Sequence, residues 1–302
     1  MYDETIVILA ELYAPLFRVS PRPLQTRISY LLPSPRTFIG MLSYGLGRCL
    51  ELNPEIEIGR QKIGERLMWD VIGSNVMVTC RVGRWAYKTS NIIRVWLIER
   101  LDLLREAERE VRSSRRGFPK EKIMDVIVYE YVSCDKLIVY VVANLNRFTG
   151  ELNRLLRDVG LGEVNLSEAY MMLYKSMLLV DRVGDSESIS TTIKASFIKT
   201  LKTVREGLLT TMTPINWIEV DELNTNIRLD MPTTPLLEGR RIRIYEERTR
   251  EMILPLKPVF GKILYYINSP YKARAKDGYT LLVMENEDSI VVPEDFLKVE
   301  KT

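Results

Sequence analysis

The chain has 302 residues, a formal net charge of +3 and no histidine, and its 46% hydrophobic and 27% charged residues are ordinary for a globular protein. The absence of histidine excludes a Ser-His-Asp site, a histidine general base and a Cys₂His₂ zinc site. The three cysteines form no CxxC pair, so we expect no metal and no cofactor.

The first third of the chain predicts a strand, a loop and a helix. Thr5–Tyr13 is β-branched and apolar, which is typical of a strand, and the proline-containing stretch 14–32 predicts a loop. Pro33-Ser34-Pro35 then opens a helical run. Its three glycines each weaken a helix by about 1 kcal/mol relative to alanine. We therefore expect another element to pack very close to Gly40, Gly45 and Gly47.

The remaining elements follow the same alternation of apolar patterns. Residues 53–75 predict a connection with a short helix, and the turn Ser133-Cys134-Asp135 predicts a hairpin between its flanking strands. The expected strands are 76–82, 91–98, 123–132, 136–144, 189–197, 242–246, 262–267, 279–284 and 290–292, and the expected helices are 99–116 and 147–159.

This order predicts an α+β fold of the ferredoxin-like (RRM-like, RAMP) β-α-β-β-α-β plan. We place that domain at residues 1–204, with an insertion at about 76–122, and a smaller β-rich part at 205–302. The acidic N-terminus does not look like a signal peptide, and the apolar run 137–143 is far shorter than the roughly 20 residues of a membrane span. We expect a cytoplasmic protein without a membrane partner.

Charge is segregated along the chain despite the small net value. Residues 12–50 contain no acid but carry Arg18, Arg22, Arg27, Arg36 and Arg48. Such basic stretches predict a surface that binds a polyanion. The alternative is thermophilic adaptation, which fits the scarcity of glutamine but needs mixed charges for ion-pair networks.

Three segments are candidates for binding nucleic acid. The first, Thr26–Gly40, would present Arg27, Arg36 and Thr37 beside a helix N-terminus, where phosphate binds well; the alternative is a plain strand-to-helix corner. The second, Leu179–Ser188, is a glycine loop that could wrap a nucleotide backbone or be a solvated loop. The third, Arg81–Lys88, interleaves cations with aromatic residues, as in stacking sites, although a hairpin with a buried Trp85 has the same pattern.

The first two segments resemble the CRISPR-associated protein family five, the RAMP-type subunit of type I interference (Cascade) complexes. Members show Pro-x-Pro-x-Thr-x-x-Gly at the first helix and Arg-x-Gly-Asp-x-Glu-Ser before a later strand. The matching residues here are Pro33, Pro35, Thr37 and Gly40, then Arg182, Gly184, Asp185, Glu187 and Ser188. The resemblance covers roughly residues 1–200 and looks most like archaeal type I-A members, with Ser34 and Arg36 departing from a more uniform Pro-Pro-Ser run.

The resemblance implies a structural subunit for antiviral defence. Such a subunit holds the 5′ handle of the CRISPR RNA, caps the backbone and contacts the backbone RAMP subunit and the large subunit. It also implies a thumb, which we place at 76–122. Some members cut repeat RNA with Tyr, His and Lys. Because this chain has no histidine, we expect no catalytic residues.

The expected RNA contacts combine the three segments. They are Arg18, Arg22, Arg27, Arg36, Thr37, Arg81, Arg84, Trp85, Lys88, Arg182, Gly184, Ser186 and Ser188. One alternative is a metal-independent repeat endoribonuclease of the same fold, with Tyr30 or Tyr87 and Lys88 as acid–base groups. A second alternative is a protein-interaction adaptor with no RNA role.

Overall fold

The computed structural model of the chain describes residues 5–19, 26–27, 29–96, 105, 109, 124–184, 188–221, 223–238, 248–261 and 264–297. Its helices are α1 (Pro35–Cys49), α2 (Ile63–Arg66), α3 (Leu145–Asp158), α4 (Leu166–Leu178) and α5 (Pro235–Glu238). A π-helical turn follows α2 at Leu67–Ile72, and 3₁₀ turns lie at Ile215–Trp217 and Asp295–Leu297. No helix in the described part of the chain combines the length and apolar character needed to cross a bilayer.

The strands in the first two thirds of the chain are β1 (Thr5–Tyr13), β2 (Thr26–Arg27), β3 (Glu57–Ile58), β4 (Gln61–Lys62), β5 (Val76–Val82), β6 (Trp85–Trp96), β7 (Met124–Cys134), β8 (Leu137–Asn144) and β9 (Thr191–Phe197). The C-terminal strands are β10 (Thr200–Val204), β11 (Glu206–Leu209), β12 (Thr213–Pro214), β13 (Ile218–Val220), β14 (Arg228–Pro232), β15 (Thr249–Ile253), β16 (Leu256–Val259), β17 (Tyr265–Asn268), β18 (Tyr271–Ala275), β19 (Tyr279–Met284) and β20 (Ser289–Pro293). The mixture of helices and mostly antiparallel strands confirms the α+β class.

A four-stranded sheet in the order β5-β8-β1-β9 forms the centre of the molecule. Every neighbouring pair in it is antiparallel. In the chain, α1 lies between β1 and β5, and α3 and α4 lie between β8 and β9. Both connections therefore carry helices from one strand of this sheet to another.

Both faces of the central sheet are covered. All eight residues of β8 are buried, as expected for a continuous apolar run in a strand packed on two sides. One face packs against the helices, with Val139 in the same cluster as Phe38 and Leu152. The other face packs against C-terminal strands, with Tyr140 in a cluster that includes Trp217. The C-terminal residues thus share a hydrophobic core with the central sheet.

The close approach expected along the first helix is confirmed at one glycine. A Cβ atom on Gly45 would overlap the carbonyl of Ser176 in α4, so glycine lets the two helices pack backbone to backbone. We did not predict α4. Its sequence signal is a capping box, in which Asn165 accepts from the Glu168 N–H at 3.0 Å while the Glu168 carboxylate accepts from the Asn165 N–H at 2.8 Å.

The hairpin predicted across residues 133–135 is wrong. β7 and β8 flank that turn, but β8 pairs with β1 and β5, whereas β7 pairs with β6 and β2. The β5–β8 pairing instead continues into the β6–β7 pairing, from Val82 opposite Leu137 to Ala86 opposite Cys134. A two-stranded ribbon of β6 and β7 thus extends from the central sheet. It begins at Trp85 rather than at 76, because β5 belongs to the sheet.

Asp135 fixes the bend between sheet and ribbon. Its two carboxylate oxygens accept from the backbone N–H of Arg84 at 3.0 and 2.9 Å. Gly83 lies so close that a Cβ atom there would overlap this carboxylate. Beside this bend, β17 pairs with β6 along the edge of the ribbon. The result is a five-stranded sheet in the order β16-β17-β6-β7-β2.

Several predicted elements fall on other parts of the chain. The helix expected over 99–116 lies outside the described residues except for Arg105 and Arg109, which are helical. The strand expected over 242–246 and residues 262–263 of the next one also lie outside them. The short helix within 53–75 and the strands near 279–284 and 290–292 are confirmed as α2, β19 and β20.

Candidate nucleic-acid interface

The first two candidate segments meet at one groove of about 630 Å³. Residues 36–44 of α1 form one wall, and the glycine loop that follows α4 forms the other. The lining residues are Val19, Arg36, Thr37, Gly40, Met41, Tyr44, Val180, Asp181, Arg182 and Gly184. Segments more than 130 residues apart in sequence thus form a single concave surface, which we call the groove.

The N-terminus of α1 is closed by its own cap. The Ser34 hydroxyl accepts from the Thr37 N–H at 3.2 Å and lies 2.9 Å from the Thr37 hydroxyl. The Phe38 N–H donates to the Ser34 carbonyl at 3.3 Å, and Pro35 has no N–H to offer. The expected phosphate site on the helix N–H groups is therefore largely occupied by the protein. Anion binding in the groove would depend on side chains.

Cationic and aromatic side chains supply that chemistry. The Arg36 guanidinium lies over the Trp69 ring, 5.2 Å from its centre, and the Arg48 guanidinium lies 5.6 Å from the centre of Tyr44. Arg48 also contacts Asp181 at 3.6 Å, which offsets the carboxylate in the groove wall. Arg182 is exposed. The described charges that line the groove therefore favour an anion.

Tyr44 is a groove residue that lies outside the three candidate segments. Its side chain is 53% exposed although it lies on a helix that is otherwise largely buried. Arg36, Gly40 and Tyr44 follow one another at intervals of four, so they share a helix face. That spacing is the signal that could have revealed it.

The glycine loop is clamped to the segment that follows β1. Gly184 has φ of +90°, and a Cβ atom there would overlap the carbonyl oxygen of Arg18. The Arg18 N–H donates to the Ser188 hydroxyl at 2.9 Å. Within the loop, the Val183 N–H donates to the Ser188 carbonyl at 2.9 Å. Ser188 is buried and holds the loop in place.

Arg18 is a buried cation with aromatic neighbours. It is 2% exposed, and its guanidinium lies 4.2 Å from the Tyr129 ring centre and 5.2 Å from that of Tyr131. Such contacts offset part of the cost of burying a charge. Arg18 therefore links the glycine loop to β7 from within the protein and does not project from its surface.

The third segment does not join the groove as a unit. Arg81 donates to Asp288 at 3.2 and 2.9 Å, with side-chain exposures of 16% and 9%. The Tyr140 hydroxyl also donates to Asp288, and burial, together with this carboxylate, raises the pKa of Tyr140. Arg81 thus belongs to a buried network that joins the central sheet to the C-terminal strands.

Lys88 and Trp85 lie on opposite sides of β6. Side chains alternate along a strand, and Trp85 and Tyr87 stack at 5.8 Å on one side. Lys88 lies on the other side, where its ammonium binds the Glu130 carboxylate at 3.0 Å. The structure therefore does not bring Tyr87 and Lys88 together as an acid–base pair. Arg84, at the bend, is 85% exposed and approaches Asp135 at 3.4 Å.

The other candidate residues are described in part or not at all. Arg22 and Ser186 lie outside the described residues, and only the backbone of Arg27 is described, in β2. Within the described ranges, no group of three or more Cys, Asp or Glu residues is arranged to hold a metal ion.

Comparisons with known proteins give weak structural likenesses. No protein-family model matches the sequence, and no curated protein matches it. The chain is similar to the crystal structure of a CRISPR protein from Archaeoglobus fulgidus, at 12% identity and a TM-score of 0.46, over 95% of this chain and 99% of that one. It is also similar to a chain of a CRISPR RNA-guided surveillance complex, at 12% identity and a TM-score of 0.37, over 87% and 91%. A pre-nicking surveillance complex gives 9% identity and a TM-score of 0.30, over 67% and 78%. TM-scores below 0.5 do not identify a function.

Proposed function

We propose that the chain is an RNA-binding structural subunit of a type I CRISPR interference complex, and that its groove holds the 5′ handle of the CRISPR RNA. The observation that carries this proposal is the meeting of two sequence segments in one groove. These are the segments that resemble the family, and they contribute Arg36, Thr37 and Gly40 from α1 and Arg182 and Gly184 from the glycine loop.

The chemistry of the groove supports a single-stranded polyanion. Arg36 and Arg182 offer planar cations suited to phosphate oxygens. The exposed ring of Tyr44 offers a face for an unpaired base. Because Arg48 offsets Asp181, the carboxylate in the wall does not repel a phosphate chain strongly.

The topology supports the ferredoxin-like RAMP plan. In that plan, two β-α-β units interlock so that every neighbouring strand is antiparallel. The order β5-β8-β1-β9, with α1 in the first connection and α3 and α4 in the second, fits it. On this reading the β6–β7 ribbon is the thumb, because it extends from the loop between the second and third strands of the plan. The partners implied by the resemblance are a backbone RAMP subunit and the large subunit.

We further propose that the protein binds RNA without cutting it. Cleavage to a cyclic phosphate needs a base, an acid and a cation around one phosphate. Tyr87 and Lys88 lie on opposite sides of β6, and the ammonium of Lys88 binds Glu130. This arrangement supports a binding role over the endoribonuclease alternative.

Purification of the native assembly followed by sequencing of its nucleic acid tests the proposal. CRISPR RNA with an intact 5′ handle is the expected content. In parallel, the pure protein is incubated with end-labelled repeat RNA, with and without divalent metal, and should return it uncut. Absence of RNA from the assembly would favour the adaptor alternative. One discrete product that disappears in Tyr87→Phe would favour the endoribonuclease.

A further inference from the structure

One side of the sheet at the base of the ribbon carries aromatic side chains that are only partly buried. Register places Trp85 opposite Ile267 and Tyr87 opposite Tyr265, so these four side chains lie on one side of β6 and β17. Tyr265 and Ile267 are each 39% exposed. We call this set, Trp85, Tyr87, Tyr265 and Ile267, the ribbon face.

The hydrophobic core packs against the side of this sheet opposite the ribbon face. The opposite side of the same sheet supplies the buried residues, including Ala86, Val132 and Leu256, each 0% exposed. The other side is partly exposed at β17 and at the half-buried Trp85 and Tyr87, whereas Arg18 covers it at Tyr129 and Tyr131. Large apolar side chains left together on an open side commonly mark a binding site.

The residues around the ribbon face favour a nucleic acid as its occupant. Arg84, beside Trp85, is 85% exposed, and register places Lys257 on the same side, opposite Ile267. The neighbouring carboxylate, Asp135, is only 14% exposed and accepts from the backbone N–H of Arg84. Planar rings flanked by cations match unpaired bases with their phosphates, whereas an aliphatic protein surface gains nothing from the cations.

The ribbon face is also continuous with the groove. Val19 lines the groove, and its neighbour Arg18 packs against Tyr129 and Tyr131 of β7. Those tyrosines lie on the same side of the ribbon as Tyr87, because Thr89 pairs with Tyr131 and Asn91 with Tyr129. The groove and the ribbon face are thus neighbours, joined through Val19, Arg18 and the two tyrosines.

We propose that the ribbon face stacks unpaired bases of the RNA that the groove holds, so that β17 of the C-terminal part is an RNA-contact element. The inference rests on the proposed function. Successive side chains on one side of a strand are about 6.7 Å apart, a spacing that an extended single strand can follow with one base on each ring. Stacking of this kind tolerates any base, since every base has a π-face.

The test compares two probes of equal length and charge, a 12-nucleotide oligouridine and the corresponding abasic oligomer. The full chain is titrated with both probes as wild type, Tyr265→Ala and Tyr265→Phe. Tyr13→Ala is the control, because Tyr13 is an aromatic residue with 50% exposure on β1 of the central sheet. All variants are first checked for an unchanged unfolding midpoint.

Wild type should bind oligouridine more tightly than the abasic probe. Tyr265→Ala should weaken oligouridine binding about tenfold and leave abasic binding unchanged, as expected for the loss of one stacked base. Tyr265→Phe and Tyr13→Ala should behave as wild type. Equal affinities of wild type and Tyr265→Ala for oligouridine would overturn the inference and leave the groove proposal intact. An effect of Tyr265→Ala on the binding of a protein partner but not of RNA would have the same meaning. Failure of wild type to bind either probe would overturn both.

Discussion

Replacing Gly184 with alanine should lower the free energy of unfolding by more than the local backbone cost alone, because it also disturbs the wall of the groove. Gly184 has φ of +90°, a region that costs a residue with a Cβ about 1–2 kcal/mol. In addition, the new Cβ would overlap the Arg18 carbonyl and push that segment away. The shift would break the buried Arg18–Ser188 hydrogen bond, about 1 kcal/mol. It would also loosen the stack of Arg18 on Tyr129, about 1 kcal/mol more.

Gly160 provides a matched control for the strain. It has φ of +75°, but a Cβ atom added there would meet no other atom within 4 Å. Gly160→Ala should therefore lower the free energy of unfolding by the backbone cost alone, about 1–2 kcal/mol. Gly184→Ala should lower it by about 3–4 kcal/mol, the sum of the three costs. Urea denaturation of both variants measures the difference. Equal losses would show that Arg18 does not clamp the loop.

Other parts of the structure lead to three more predictions. Gly45→Ala should lower the free energy of unfolding by about 1–3 kcal/mol, because its Cβ meets the Ser176 carbonyl. Gly150→Ala, at an uncrowded position of α3, should instead raise it by about 0.5–1 kcal/mol, and a thermal melt of each variant checks the opposite signs. Asp288→Ala should lower the free energy of unfolding by about 3–5 kcal/mol, because it leaves the mostly covered Arg81 without its carboxylate. Arg154→Ala, at an exposed ion pair, should lower it by less than about 1 kcal/mol, and similar denaturation curves for the two variants would refute the network around Asp288. RNA affinity should fall with salt with a log–log slope of about −0.7 for each phosphate contact, and filter binding between low and moderate salt that gave a flat line would contradict electrostatic binding.

The central strands and α1 could be predicted because their signals are local. β1 and β5 have the predicted bounds, and Pro35 begins α1 after the Ser34 cap. The false hairpin at 133–135 shows where local signals fail. The sequence on each side of that turn is apolar and strand-forming. However, β7 pairs with β6 at sequence separations of 28 to 48 residues and β8 pairs with β5 at 55 to 67, with the bend at Gly83 between the two pairings.

Site residues were predictable in type more than in role. Arg36 and Arg182 carry motif signals and do line one groove. Arg18 and Arg81 look the same in sequence, yet Arg18 is buried against Tyr129 and Arg81 is mostly covered where it binds Asp288. Pairing with distant residues decides whether an arginine faces solvent. The sequence did not indicate that Tyr265 lies beside Tyr87, since Tyr265 belongs to β17, a strand far from β6 in sequence that pairs with the edge of the ribbon.

Binding of 5′-handle RNA to two matched double variants tests the central claim most directly. Arg36→Ala with Arg182→Ala removes two cations from the groove, and Arg154→Ala with Arg157→Ala removes two from the exposed side of α3, where they pair with Glu151 and Glu163. Because the change in net charge is the same, any difference reports position. The groove pair should weaken binding at least about tenfold, since each charged hydrogen bond contributes about 1.5–3 kcal/mol, and the α3 pair should have little effect. Equal losses in the two variants would mean that RNA does not bind in the groove.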